Sequence, residues 1–387
     1  MAGNYNLKPE DHLLLNCSLT NRSEDNIKNI KQLTAMDLNW DYLINMAYQH
    51  RLSPLLYWHL NKTVPDKIPS NLKVELQENF RSNVTKNLAM FRELLEVIHV
   101  LQEHGINPIP YKGPVLAIMT YKNLGFRVFG DLDFYVPLKD VSRTKEILIE
   151  DGYEPWMELS PNQERVFYKF QREYHFTNKL TSITLEIKWK FLSTLFSINN
   201  ETFLEEKEFF REVDVDQFKL NTVSPEYLIL ILSIHNASHS FSSLYRFCDI
   251  SELIKSEDRI NWQQLMDIAS ELGMRRIFLV NLYILRELFR IELSDDILRC
   301  IKSDRQVEKI SCDVIGRLFT LKPRGVVGKA VFHIKSREKN IDKLKTFYNM
   351  VFLPTPGVIE SVSLPWIFGP FYYILRVIQM LKNISHP

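Results

Sequence analysis

Two carboxylates one residue apart, Asp131 and Asp133, stand in the segment Gly130-Asp131-Leu132-Asp133-Phe134-Tyr135-Val136. The segment alternates with period two until Pro137, which predicts a strand, and on a strand residues i and i+2 share a face. Two acids that close repel, and each raises the other's proton affinity unless a cation lies between them. One reading is a hard-metal site, with magnesium taking carboxylate oxygens and leaving positions for phosphate oxygens. The other is a solvated strand end.

A second acidic position lies in Leu185-Glu186-Ile187-Lys188-Trp189-Lys190, where Glu186 and Lys188 share one face and Ile187 and Trp189 the other. Paired beside the first strand, Glu186 would be a third carboxylate of the kind a two-metal site requires. Unpaired, it belongs to an ordinary surface face. Ahead of both, Tyr111-Lys112-Gly113-Pro114 reads as a strand, a glycine turn and a helix start, where backbone N–H groups can bind phosphate and glycine lets it approach. No GxxxxGK[ST] or GxGxxG accompanies it, so P-loop, dinucleotide and kinase glycine loops are unsupported.

Lys112 and Arg127 are placed either to hold a triphosphate by charge-assisted bonds or to neutralise the acids. His175, on the strand before Glu186, borders the same cleft or fills an edge of the core. His235 and His239 have the i, i+4 spacing of helical metal ligands, but Asn236 stands where HExxH has Glu, which excludes a zinc protease. They are interior histidines or substrate contacts across a cleft.

The elements that must carry these residues follow from hydrophobic period. Leu13 to His104 is helical, most clearly from Asn87, and stops at Gly105. Ile106 to Tyr111 reads as a strand, Pro114 to Tyr121 as a helix with proline at N1, Asp131 to Val136 as a strand and Val141 to Gly152 as a helix. Tyr174 to Thr177 and Ser182 to Phe191 alternate again. From Ser224, an N-cap followed by Pro225, the period is helical to the end. The expectation is an α+β fold, a small mixed sheet with helices on it: a helical N-terminal region over 1–85, the sheet-bearing core over 86–200 and a helical C-terminal domain over 201–387.

Composition bounds the partners. The 387 residues carry 48 Lys plus Arg against 47 Asp plus Glu, so the whole-chain field does not steer the protein to a polyanion. Any such site is local. Residues 317–345 hold nine Lys or Arg against Glu338 and Asp342, either a dock for RNA or a solvated face. Four cysteines without a CxxC pair signal neither a zinc knuckle nor a disulfide framework. Met1 to Asn6 lacks a basic-then-apolar leader, and Gly3 is misplaced for myristoylation, so a cytoplasmic protein is expected. Leu364 to Leu381 is apolar but broken by Pro365, Gly369, Pro370 and Arg376, and is expected to pack on the domain.

A strand ending in a glycine turn, a helix, Gly-Asp-hydrophobic-Asp on the next strand and an acid on a later one resembles the layout of the polymerase-beta-like nucleotidyltransferase superfamily. More narrowly, Tyr111-Lys112-Gly113, Tyr121, Arg127-Val128-Phe129-Gly130-Asp131-Leu132-Asp133 and Glu186-Ile187-Lys188-Trp189 are similar to a bacterial family of stand-alone nucleotidyltransferases. That family shows a Lys-Gly turn, Arg-x-x-Gly-Asp-x-Asp and an acid-x-His-Trp strand. The resemblance runs on through His235, His239, Arg246 to Asp249, Pro354 and Pro365 to Arg376, from about residue 40 onward.

The resemblance implies a nucleotidyltransferase core in which Asp131, Asp133 and Glu186 are catalytic and hold magnesium, while Lys112, Gly113, Arg127, Gly130 and Lys188 contact the nucleotide. A nucleoside triphosphate would be the co-substrate, its nucleoside monophosphate passing to an unidentified acceptor hydroxyl on a peptide, sugar, small molecule or RNA. Two departures stand out: Gly113-Pro114 replaces a glycine-serine turn, and Lys188 replaces a histidine. A phosphotransferase on the same scaffold, or a non-catalytic nucleotide-binding protein of a biosynthetic cluster, are the alternatives.

Overall fold

A computed structural model describes residues 5, 7–196, 208–215, 218–257, 259–365 and 368–385. Residues 1–4 and 6, on which the reading of the N-terminus rests, lie outside them. The helical run expected from Leu13 is five helices: α1 (Pro9–Asn16), α2 (Glu24–Leu33), α3 (Trp40–Gln49), α4 (Ser53–Thr63) and α5 (Ser70–Glu103). Local capping sets the breaks. Ser23 accepts from the Asn26 N–H at 3.2 Å and Asn39 from the Tyr42 N–H at 2.9 Å, satisfying donors that the first turn leaves free. The 34-residue α5 stops before Gly105, whose φ of +77° suits a residue without Cβ.

A five-stranded sheet follows: β1 (Ile109–Pro110), β2 (Asp131–Tyr135), β3 (Tyr153–Pro155), β4 (Glu173–Asn178) and β5 (Thr184–Lys188), in the order β1-β2-β5-β4-β3. Only β2 and β5 are parallel. Helices α6 (Gly113–Leu116), α7 (Leu138–Glu150) and α8 (Pro161–Phe170) connect the strands, and α6 runs into a π-helical turn at Ala117–Tyr121. The first strand is shorter than expected because Pro108 and Pro110 have no N–H for a ladder.

A hairpin, β6 (Phe210–Val215) and β7 (Phe218–Val223), was not anticipated in the helical C-terminal stretch. It packs with the sheet: the Thr222 hydroxyl donates to the Pro110 carbonyl at 2.6 Å, and Val215 and Leu220 join the core under the strands. Ten helices complete the described chain: α9 (Pro225–Ser238), α10 (Leu244–Ser256), α11 (Trp262–Glu271), α12 (Arg275–Phe289), α13 (Asp295–Ser303), α14 (Arg305–Leu318), α15 (Val326–Lys335), α16 (Asn340–Phe352), α17 (Pro356–Ser361) and α18 (Phe371–Ser385). None of the described helices is long and apolar enough to cross a membrane. Tyr372 of α18 is buried in the sheet core, while Phe371, Ile374, Ile378 and Leu381 are exposed.

Apolar burial is divided between two cores. One joins the N-terminal helices to α9–α14, and the other lies between the sheet, α7, α8 and the C-terminal half of α5. Helix α5 serves both, with Leu72 and Leu76 in the first and Met90, Leu94, Val97, Ile98 and Leu101 in the second. Buried His50 ties α3 to the C-terminal helices: its Nε2 lies 2.9 Å from the Leu318 carbonyl, and its Nδ1 accepts from the Leu244 N–H at 3.2 Å. That pairing assigns the ring proton to Nε2. Burial pushes its pKa down to about 4.

Candidate active site

Register gathers the polar residues on one face of the sheet. The parallel pairing sets Asp133 beside Glu186 and Tyr135 beside Lys188; the antiparallel pairing of β4 and β5 sets His175 beside Glu186 and Glu173 beside Lys188. Alternate residues Leu132, Phe134, Tyr174, Phe176, Leu185 and Ile187 all sink into the core on the opposite face. The loop leading into β2 is held by α5. Asn83 donates to the Gly125 carbonyl at 2.9 Å, Asn87 to Leu124 at 2.6 Å and Arg127 at 2.8 Å, and Lys86 to Phe129 at 3.0 Å. The polar face lines a cleft of about 260 Å³, whose far wall is built by α9 and α10.

The centre of the cleft floor is a lysine. Lys188 is 1% exposed, and its Nζ lies 2.9 Å from Asp133 Oδ1, donates to Glu173 Oε2 at 2.7 Å and contacts Glu186 Oε2. Three carboxylates thus take all three ammonium donors. Lys188 was expected to contact the nucleotide, and this geometry leaves it no N–H for a phosphate. Burial alone would raise the Asp133 pKa, but the Lys112 and Lys188 ammoniums hold it well below the usual carboxylate range. Glu173 is likewise held low by Lys188 and Arg172 against the upward push of burial. Asp131 and Glu186 are shifted the other way, by burial first and then by Asp133.

These contacts decide which residues suit a metal. The space between Asp133 Oδ1 and Glu186 Oε2 already holds a cation, so Glu186 does not fit as a third ligand. Among the described residues no group of three or more His, Cys, Asp or Glu side chains is arranged to hold a metal ion. Asp131 and the second oxygen of Asp133 do fit a magnesium ion, which uses one or two carboxylates and completes its shell with water and phosphate oxygens. Among the described residues the Asp131 carboxylate makes no side-chain hydrogen bond or ion pair.

Lys112 Nζ stands 3.8 Å from Asp133 Oδ1 on the same floor. Gly113 has φ +54°, and a Cβ there would sit 3.3 Å from the Asp131 carbonyl oxygen, so the turn that brings Lys112 to the acids needs glycine. Gly130 is exposed with open space where a Cβ would stand, and it does not line the cleft. Arg127 is engaged differently from the triphosphate role expected of it. Its Nε and Nη2 grip Asp249 at 2.8 and 2.9 Å, and only Nη1 is unpartnered.

A family model described as "Uncharacterised nucleotidyltransferase" matches residues 36–290, from just before α3 to the end of α12, and so includes both walls of the cleft. The chain belongs to this nucleotidyltransferase family. The match ends short of Pro354 and the Pro365 to Arg376 region, to which the resemblance in sequence had been extended. No curated protein matches the chain. Family membership makes the chain a transferase with a nucleotide substrate, and the cleft is where the acids of its motifs meet.

Several residues of the cleft in this nucleotidyltransferase had not been singled out. Glu173 was missed because β4 was read as starting at Tyr174, although Glu173 and His175 alternate with Tyr174 and Phe176 as a strand face should. Arg172 and Arg51 also line the cleft, as does Arg246 from the segment to which the resemblance extended. Arg51 and Arg246 flank the Tyr245 ring at 5.1 and 4.9 Å and pair with no carboxylate among the described residues. Burial holds the Arg246 pKa down, with Arg51 adding to the shift. His235 and His239 stand together on the same wall, ring centroids 4.7 Å apart; burial, then Lys112, keeps His235 neutral. His175 lies outside the lining, 3.7 Å from both Glu173 and Glu186 and over Trp156.

The basic residues of 317–345 do not line the cleft. Arg317 and Arg324 pair with Asp313, and Arg337 is buried over Phe196. A separate cavity of about 900 Å³ lies between the N-terminal helices, 254–262 and 287–292, and shares no residue with the cleft.

Proposed function

We propose that the chain transfers a nucleoside monophosphate from a nucleoside triphosphate to an acceptor hydroxyl, with release of pyrophosphate and dependence on magnesium. The observation that carries the reading is the Asp131 carboxylate beside Asp133, which has no side-chain partner among the described residues, facing a wall on which Arg51 and Arg246 form no ion pair with a described carboxylate. A carboxylate pair for a hard cation and guanidiniums for phosphate oxygens are the two halves of a triphosphate site.

Asp131 and Asp133 would hold the magnesium ion. Such an ion would supply neutralisation of triphosphate charge and polarisation of the α-phosphate. Lys112, Arg51 and Arg246 bind the β and γ oxygens and stabilise the charge that gathers on pyrophosphate as it leaves. Glu186 Oε1, the oxygen that Lys188 does not hold, accepts the acceptor's proton as its oxygen forms the bond to Pα and the bond from Pα to the bridging β oxygen breaks. Burial and neighbouring Asp133 raise the proton affinity of Glu186, which suits a base. Lys188 and Arg172 keep the surrounding acids charged and in place.

The experiment is to follow label from triphosphates carrying it at the α or γ position, with candidate acceptors, alongside magnesium-dependent binding of the nucleotide to the wild type and to Asp131→Asn. α label on the acceptor with free pyrophosphate is expected. γ label on the acceptor with release of a nucleoside diphosphate would establish a phosphotransferase instead, and equal nucleotide binding by the variant would remove Asp131 from the site.

A further inference from the structure

We propose that the Lys188 ammonium is a built-in cation standing where a second metal ion would otherwise bind, so that the site takes one divalent ion and Glu186 is not among its ligands. This rests on the nucleotide-binding reading of the cleft. The argument is geometric. Lys188 Nζ is within hydrogen-bond reach of one oxygen each from Asp133, Glu173 and Glu186, on three neighbouring strands. A divalent ion bridging Asp133 and Glu186 would sit about 2.0–2.1 Å from an oxygen of each, in the volume the ammonium fills.

The lysine is fixed in that position from all sides. It extends from β5 between β2 and β4, is 1% exposed, and has every donor satisfied, so it has no alternative place to withdraw to. Replacing a dissociable ion by a covalently tethered one changes what the site does. The Glu186 carboxylate is oriented before any nucleotide or metal arrives, and its position does not depend on the free metal concentration. Lys188 is thus a positioning residue, and the single exchangeable ion is confined to the Asp131 side of Asp133.

Counting bound Mn²⁺ by electron paramagnetic resonance, with non-hydrolysable α,β-methylene analogues of ATP, GTP, CTP and UTP, tests this without reference to turnover. One Mn²⁺ per wild-type chain is expected in the nucleotide complex. Glu186→Gln should still bind one, with affinity within about twofold of wild type, since the altered side chain is not a ligand. Lys188→Ala, which opens the position, should bind two, and its melting temperature, lowered in the absence of metal, should recover with millimolar Mn²⁺.

Two ions on the wild type, a tenfold or greater loss of Mn²⁺ affinity in Glu186→Gln, or a folded Lys188→Ala that still binds one would each overturn the proposal while leaving the nucleotide reading intact. Should Lys188→Ala not fold, the wild-type and Glu186→Gln counts decide alone. A wild type that takes up no Mn²⁺ with any of the four analogues overturns both readings together.

Discussion

Arg127 and Asp249, 122 positions apart in the chain, meet through two parallel hydrogen bonds of 2.8 and 2.9 Å inside the protein. The Tyr121 hydroxyl donates to the same carboxylate at 2.9 Å. Arg127 leads into the acidic strand and Asp249 belongs to α10, so this junction fixes one wall of the cleft against its floor. Burial works against the guanidinium's charge, yet Asp249 holds its pKa above the ordinary arginine value.

Asp249→Asn should therefore cost stability without touching any proposed ligand. It leaves a buried guanidinium with no counter-charge, a change worth about 3–5 kcal/mol. Denaturant unfolding measures it, and a loss below about 1 kcal/mol would mean that the junction is not what holds the walls together.

Asp131→Asn and Asp133→Asn should part company although both remove one acid of the same pair. Neutralising Asp131 relieves repulsion, so stability holds or rises; neutralising Asp133 takes a counter-charge from buried Lys188 and Lys112, and stability falls by roughly 2 kcal/mol or more. Both variants lose magnesium-dependent nucleotide binding. Thermal melts paired with calorimetric nucleotide titration separate the two effects, and identical melting behaviour would contradict the central place given to Lys188.

Acid should weaken the protein through His50. Its folded pKa, about 4, lies below the ordinary 6.5, so the native state resists protonation. The stability this contributes is complete above about pH 6.5 and is lost as pH falls toward 4, amounting to roughly 3 kcal/mol at most. Unfolding free energy measured from pH 7.5 to 4.5 should fall, and fall less steeply in His50→Gln, the remaining loss coming from His59, His239 and His333, which burial holds low in the same way. An unchanged slope in the variant would transfer the effect to other groups.

Glu186→Gln should retain nucleotide affinity and lose turnover by a factor of about 10²–10⁴, the usual contribution of a general base. Steady-state kinetics with a working acceptor settle it: a change confined to KM for nucleotide, with kcat preserved, would assign Glu186 to binding instead.

The parts of the site that were legible in sequence were those governed by local period. Asp131 and Asp133 share a face because they are two apart, and Glu186 and Lys188 for the same reason. That Lys188 would enter the acid cluster was not legible, because its neighbours are set by the parallel register of β2 with β5, a pairing across more than 50 residues. Glu173 depended on the register of β4 as well, and one residue of error at the start of that strand removed it from view. Arg127 looked like a phosphate ligand only while Asp249 was out of reach. The hairpin β6–β7 escaped because its alternation is mixed: Phe210, Arg211 and Glu212 are all exposed in succession.

Helix α5 bears on how the protein can be divided. A boundary at residues 85 and 86, drawn from sequence, falls inside one continuous helix that is about 50 Å long at ~1.5 Å per residue. A fragment beginning at 86 would keep the apolar turns that cover the sheet but lose Asn83, one of the residues that clasp the loop before Asp131, and would start with an uncapped helix end. Such a fragment could regain its strands and still present the two aspartates at the wrong height. Dissection of this chain has to begin ahead of Ser70, with the rod whole.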